Sequence, residues 1–114
     1  MKIKNILAIT MLLLSTTVFA QTKKTTEIKI KTSAECDMCK KRIESNLIYE
    51  KGIKFCKLDV DSKVLTVTYN AEKTSPEKIK QAVSKIGYDA DDVKADSTAY
   101  EKLPECCKKG AHQE

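Results

Sequence analysis

Residues 27–47 read EIKIKTSAECDMCKKRIESNL, and the change of period inside this stretch decides the fold. Ile28 and Ile30 alternate with Lys29 and Lys31, the two-residue period of a half-buried strand. Past Cys36 the period lengthens. Cys39, Ile43 and Leu47 recur every four residues, with Lys40, Lys41, Arg42, Glu44 and Ser45 between them. That spacing predicts an amphipathic helix from Asp37 to about Glu50, with Gly52 just beyond its end. A strand therefore hands over to a helix, and a C-x-x-C sits at the junction.

Outward from this unit the pattern continues. Cys56, Leu58 and Val60 share one face of a second strand, and Lys57 and Asp59 the other. Asp61-Ser62-Lys63 makes a turn, after which Leu65, Val67 and Tyr69 alternate with Thr66 and Thr68 in a third, antiparallel strand. Thr74-Ser75-Pro76-Glu77 supplies a serine cap, a proline in the first helical turn and an early acid, and so starts a second helix. Ile79, Ala82, Val83 and Ile86 form its apolar stripe, and Gly87 ends it. Asp89–Ala95 is expected to be a short fourth strand. The order β-α-β-β-α-β predicts an α+β, ferredoxin-like sandwich, with two helices on one face of a four-stranded antiparallel sheet. Residues 96–114 are expected to be a polar tail carrying cysteines, with one helical turn near Tyr100.

The first twenty residues have a different character. Lys2 and Lys4 precede an apolar run from Ile6 to Leu14, and Val18-Phe19-Ala20 places small residues at −3 and −1 of a cleavage site. This is the pattern of a secretory signal peptide cut after Ala20. The apolar run is shorter than the roughly 20 residues of a spanning helix, so the exported chain is not expected to stay in the membrane. The expected location is periplasmic or extracellular. Residues 21–26 are expected to be a disordered lead-in to a domain at 27–95.

Composition excludes several classes. The formal net charge is +5 over 114 residues, with 16 acids spread among 21 bases. No basic stripe interleaved with aromatics is present, so nucleic acid is not an expected partner. One small domain leaves little room for a deep substrate cleft, and the chain is taken as a non-enzymatic monomer.

The five cysteines carry the chemistry. Their odd number and their grouping, Cys36/Cys39 and Cys106/Cys107 with Cys56 alone, differ from a disulfide scaffold that ties distant segments. Cys36 and Cys39 stand at a helix N-terminus, where unpaired N–H groups and the dipole favour a thiolate. Lys40, Lys41 and Arg42 add positive charge and are candidate docking residues for a partner; Glu35 opposes them. Two thiolates at this spacing converge on one soft ion, Cu(I) before Zn(II). Cys56, in phase with Leu58, is assigned to the core. Cys106 and Cys107 are candidate accessory ligands or disulfide formers, and His112 is a weaker candidate ligand.

Residues 27–95 resemble the heavy-metal-associated domain of copper chaperones, metal-transporting ATPases and the periplasmic mercury-binding protein. The matching residues are Cys36-Asp37-Met38-Cys39, Ile43, Leu47, Gly52-Ile53, Val67-Thr68-Tyr69-Asn70, Ser75-Pro76-Glu77-Lys78-Ile79 and Gly87-Tyr88. The resemblance implies a two-cysteine site for Cu(I), with Hg(II) also in its range, and stepwise thiolate exchange with a partner. That partner would be a metal-transporting ATPase or another cysteine-containing transporter or acceptor. It also implies that Tyr88 borders the metal loop, either shielding the site or simply filling the core. Met38, inside the motif and bordering the site, is read first as a packed or exposed side chain and second as a thioether ligand. The family's usual Gly-Met-Thr/His before the first cysteine is replaced here by Ser33-Ala34-Glu35. Two other functions compete. A thiol–disulfide oxidoreductase would use the same Cys36/Cys39, but Asp37-Met38 between the cysteines and the lack of a nearby downstream proline do not match that class. The third reading is an interaction module whose cysteines are oxidised and structural.

Overall fold

The computed structural model describes residues 24–109; the expected signal peptide, residues 21–23 and His112 lie outside the described residues. Five of the expected elements form: β1 (Thr25–Lys31), α1 (Asp37–Leu47), β2 (Ile53–Asp59), β3 (Val64–Asn70) and α2 (Pro76–Ile86). The sheet order is β1-β3-β2, antiparallel throughout. Thr25 and Thr26, placed by the sequence reading in the lead-in segment, open the ladder opposite Asn70 and Tyr69.

Register explains the core. Ile30 and Leu58 both pair with Leu65, and Ile28 and Cys56 both pair with Val67. Apolar rows therefore cross all three strands on one face. Cys39, Ile43 and Leu47 of α1, and Ile79, Ala82 and Val83 of α2, bury against that face. The hairpin between β2 and β3 turns at Lys63, which takes φ 65°. The second helix starts as its sequence dictates: the Ser75 hydroxyl accepts from the Lys78 N–H at 3.3 Å, and Gly87 ends it at φ 119°. A Cβ on Gly87 would also stand 3.1 Å from the Leu103 side chain, so glycine is needed there twice over.

Among the described residues the sheet has three strands, not the expected four. Asp89–Ala95 folds on itself instead: Ala90 and Val93 exchange backbone hydrogen bonds of 2.8 and 2.9 Å. Asp91 takes φ 52°, and the Asp89 carboxylate accepts from the Ala95 N–H at 2.8 Å. Three aspartates in four residues offer side-chain acceptors that compete with a ladder. Contact with β1 shrinks to the bridge Thr32↔Ala90 and to Asp91, which exchanges two 2.8 Å hydrogen bonds with the Lys31 backbone.

The segment after it is not a loose polar tail within the described residues. Residues Ser97–Glu101 form a short helix, α3, and Glu105–Cys107 a 3-10 turn. Leu103 and Cys107 join the core. Among the described residues no helix is long and apolar enough to cross a membrane.

Candidate metal centre

The loop from β1 to α1 is held before it reaches the cysteines. Thr32 binds the Lys63 carbonyl through both its N–H and its hydroxyl, at 2.9 Å each. The Ala34 N–H donates to the Thr32 hydroxyl, and the Ser33 hydroxyl accepts from the Asp89 N–H at 2.9 Å. Ala34 is fully buried. Cys36 then takes the cap position of α1 in an extended conformation, and its carbonyl accepts the Lys40 N–H at 3.0 Å. Cys39 follows in the first turn, buried. This geometry brings the two sulfurs within 3.3 Å, both as free thiols.

The two thiols differ in their electrostatics. Burial pushes the Cys39 thiol up, yet it ends below its ordinary value: a backbone hydrogen bond at Glu35, the Tyr88 hydroxyl and the thiols of Cys107 and Cys36 all favour its thiolate. Cys36 is raised, first by burial and then by the negative charge that Cys39 develops, against backbone hydrogen bonds that lower it. The loop backbone at Glu35 and the neighbouring side chains thus make Cys39 the first of the two thiols to lose its proton and Cys36 the second.

Tyr88 is buried beside the pair. Its hydroxyl makes no hydrogen bond of good geometry among the described residues. It faces the thiols of Cys39 and Cys107, and burial, followed by those neighbours, pushes its own ionisation far upward. A phenol that stays protonated next to sulfur is a donor to a thiolate, which accounts for its pull on both cysteines.

Cys106 and Cys107 are brought to the same place. The sulfurs of Cys36, Cys106 and Cys107 all lie within 4.8 Å of one another. Cys36 Sγ donates to the Cys106 carbonyl at 3.5 Å, and Cys106 Sγ lies 3.3 Å from Met38 Sδ. Burial raises Cys107 to about 12. Cys56 is elsewhere, buried under α1, and burial with the nearby Glu44 charge raises it to about 11.

The three candidate docking cations do not form one patch. Lys40 Nζ is spent on Glu44 at 2.6 Å and on the Leu58 carbonyl at 3.0 Å. Glu44 in turn accepts the Leu58 N–H at 2.7 Å, so this pair caps both backbone groups of one residue on the sheet's edge strand. Lys41 is exposed beside Ile48 and Phe55, while Arg42 lines a cleft with Lys85, Asp96 and Lys102. Sequence reasoning missed the edge cap and the seating of the tail. A signal for the latter exists: Tyr100, Leu103 and Cys107 are apolar at spacings of three and four.

The heavy-metal-associated domain profile matches residues 31–89. The copper chaperone CopZ of Staphylococcus haemolyticus (strain JCSC1435) is 33% identical over 54 residues, 47% of this chain and 79% of that protein. The solved structure of a CopZ metallochaperone superposes with a TM-score of 0.55 at 23% identity, covering 57% of this chain and 98% of that one. Oxidised MerP from Ralstonia metallidurans CH34 gives a TM-score of 0.55 at 19% identity, covering 58% and 93%. At these identities the two structures speak for the fold alone. The profile spans more than half of the 114 residues, so the chain belongs to the heavy-metal-associated domain family of metal-binding domains.

Proposed function

We propose that this protein is an exported carrier of a soft metal ion, Cu(I) in the first place, which it sequesters or hands over through Cys36 and Cys39. The observation that carries the reading is the pair of free thiols 3.3 Å apart at a helix N-terminus, one of them with a depressed pKa. Soft thiolates select Cu(I), while Hg(II) and Zn(II) remain within the chemistry of the same donors. The likeness to a copper chaperone supports the choice of ion.

Handover follows from the asymmetry of the pair. The buried Cys39 keeps its bond to the ion while the half-exposed Cys36 is reached by an incoming partner thiolate. The partner sulfur adds to the ion, the Cys36 bond breaks, and Cys36 takes up the proton that the partner released. A second exchange frees Cys39. No electron is transferred. The partner chemistry is a cysteine-bearing metal transporter or ATPase. Export to the periplasm or beyond rests on residues 1–20 alone.

Anaerobic titration of the reduced protein tests the assignment. Tight Cu(I) binding should be lost in Cys36→Ser/Cys39→Ser; its retention there would sink the proposal. A disulfide-reduction assay tests the competing oxidoreductase reading, which requires turnover faster than that of a free dithiol.

A further inference from the structure

We propose that Cys106 and Cys107 are ligands of the same centre and extend it to a site for two Cu(I) ions, with Cys36 as the shared, bridging sulfur. This rests on the Cys36/Cys39 reading and adds a capacity that a C-x-x-C alone does not have. Three sulfurs around one soft ion, at metal–sulfur distances of about 2.3 Å, stand about 4 Å apart. Cys106 and Cys107 are 4.0 Å apart, and Cys36 completes a triangle with no side above 4.8 Å. Cys39 joins through Cys36 at 3.3 Å. At the other end Met38 Sδ meets Cys106 at 3.3 Å. Five sulfurs thus form one connected cluster, half-exposed at Cys36 and Cys106 and buried at Cys39 and Cys107, more than the two or three that one Cu(I) takes up.

The arrangement is built into the fold rather than made by a chain end that happens to lie nearby. Leu103 is buried against Gly87, where even a Cβ would be too close. The Asp96 N–H donates to the Ser84 carbonyl at 3.0 Å, and Lys109 Nζ reaches the Asp89 carboxylate at 2.6 Å. The Lys109 N–H donates to the Tyr100 hydroxyl at 2.9 Å. These contacts hold the Cys106-Cys107 pair over the first two thiols from both sides. Loading needs no redox step. Each thiol that becomes a ligand gives its proton to solvent as Cu(I) leaves its carrier, and the bridging Cys36 serves both ions with one thiolate.

The test is an anaerobic titration of the reduced chain with Cu(I) against a chromophoric chelator, read together with native mass spectrometry. Two ions per monomeric chain are expected for the wild type and one for Cys106→Ser/Cys107→Ser. Cys106→Ser alone should also hold one; Cys106 is half-exposed, so this variant guards against a folding defect at the buried Cys107. The orange emission of a multinuclear Cu(I)–thiolate core should appear in the wild type only. One ion in the wild type, two persisting in the double variant, or a second ion found only in dimers would each overturn the proposal. Failure of the underlying reading looks different, because Cys36→Ser/Cys39→Ser would then keep its tight site.

Discussion

Truncating Leu103 to alanine should release the C-terminal segment while leaving the sheet intact. Leu103 is 5% exposed and packs on Gly87 at the end of α2. Removing such a side chain costs roughly 2.7–5 kcal/mol. The lower end applies, about 2.7 kcal/mol, because a surface segment relaxes into the space more easily than an inner layer. No ladder hydrogen bond joins residues 97–109 to the sheet, so the loss falls on docking of this segment rather than on global unfolding. At 1.4 kcal/mol per factor of ten, the undocked fraction rises about 100-fold. The assay is thiol labelling of the metal-free reduced chain under native conditions, resolved by residue. Cys107 must be uncovered to react, and its rate tracks the open population when reclosing is fast. Its rate should rise about 100-fold. Cys56, on β2 beneath α1, serves as the internal reference. Equal acceleration of Cys56, or a change at Cys107 below tenfold, would refute the idea that the segment is a separately docked unit.

Three further outcomes follow from particular contacts. Tyr88→Phe removes the hydroxyl that favours the Cys39 thiolate, so the pH midpoint of Cys39 alkylation should move upward with the fold retained in circular dichroism. Glu44→Ala leaves the Leu58 N–H and Lys40 without their shared partner and should cost about 1–3 kcal/mol in urea unfolding; no loss would mean that the edge cap is idle. Stability should also decline in alkali. Burial raises Cys56 from 9.0 to about 11 in the folded protein, so the unfolded chain loses that proton first. The stabilising effect is whole below pH 9 and is lost as pH rises to about 11. Cys56→Ala should lessen the slope in that range, the raised Cys107 keeping the rest, and an unchanged slope would count against the assignment.

The elements legible in the sequence were those whose side chains keep a simple period. Ile28 and Ile30, Leu65 to Tyr69, and Ile43 and Leu47 each announce one face of one element, and Ser75-Pro76 and Gly87 mark a helix at both ends. Asp89–Ala95 was misread because only Ala90 and Val93 carry an apolar signal. The aspartates around them satisfy backbone N–H groups locally, which periodicity does not register. Cys36 and Cys39 are candidates from the junction of the two periods, and the structure places them at the cap and first turn of α1. The depth of Cys107 was missed for a different reason. Pro104 interrupts the apolar spacing of Tyr100, Leu103 and Cys107, and the charges around it make the stretch look solvated. Only the packing on Gly87 reveals which side faces inward.

The same packing bears on the proposed handover. In the proposed exchange the incoming thiolate approaches Cys36, since Cys39 is buried. Cys36 is also the residue that the tail engages, through the Cys106 carbonyl at 3.5 Å and through both tail sulfurs. Partner and tail therefore compete for one side of one sulfur. Undocking the tail gives a partner access but withdraws two donors from the ion; docking it supplies those donors and shuts the approach. On that proposal a chain with the tail seated would be biased towards holding its cargo, and a partner able to lift Leu103 from Gly87 would bias it towards release. The Leu103→Ala variant separates these states without touching a sulfur. Loaded with Cu(I), it should pass the ion to a dithiol acceptor faster than the wild type does. A slower transfer would mean that the tail assists exchange instead of opposing it.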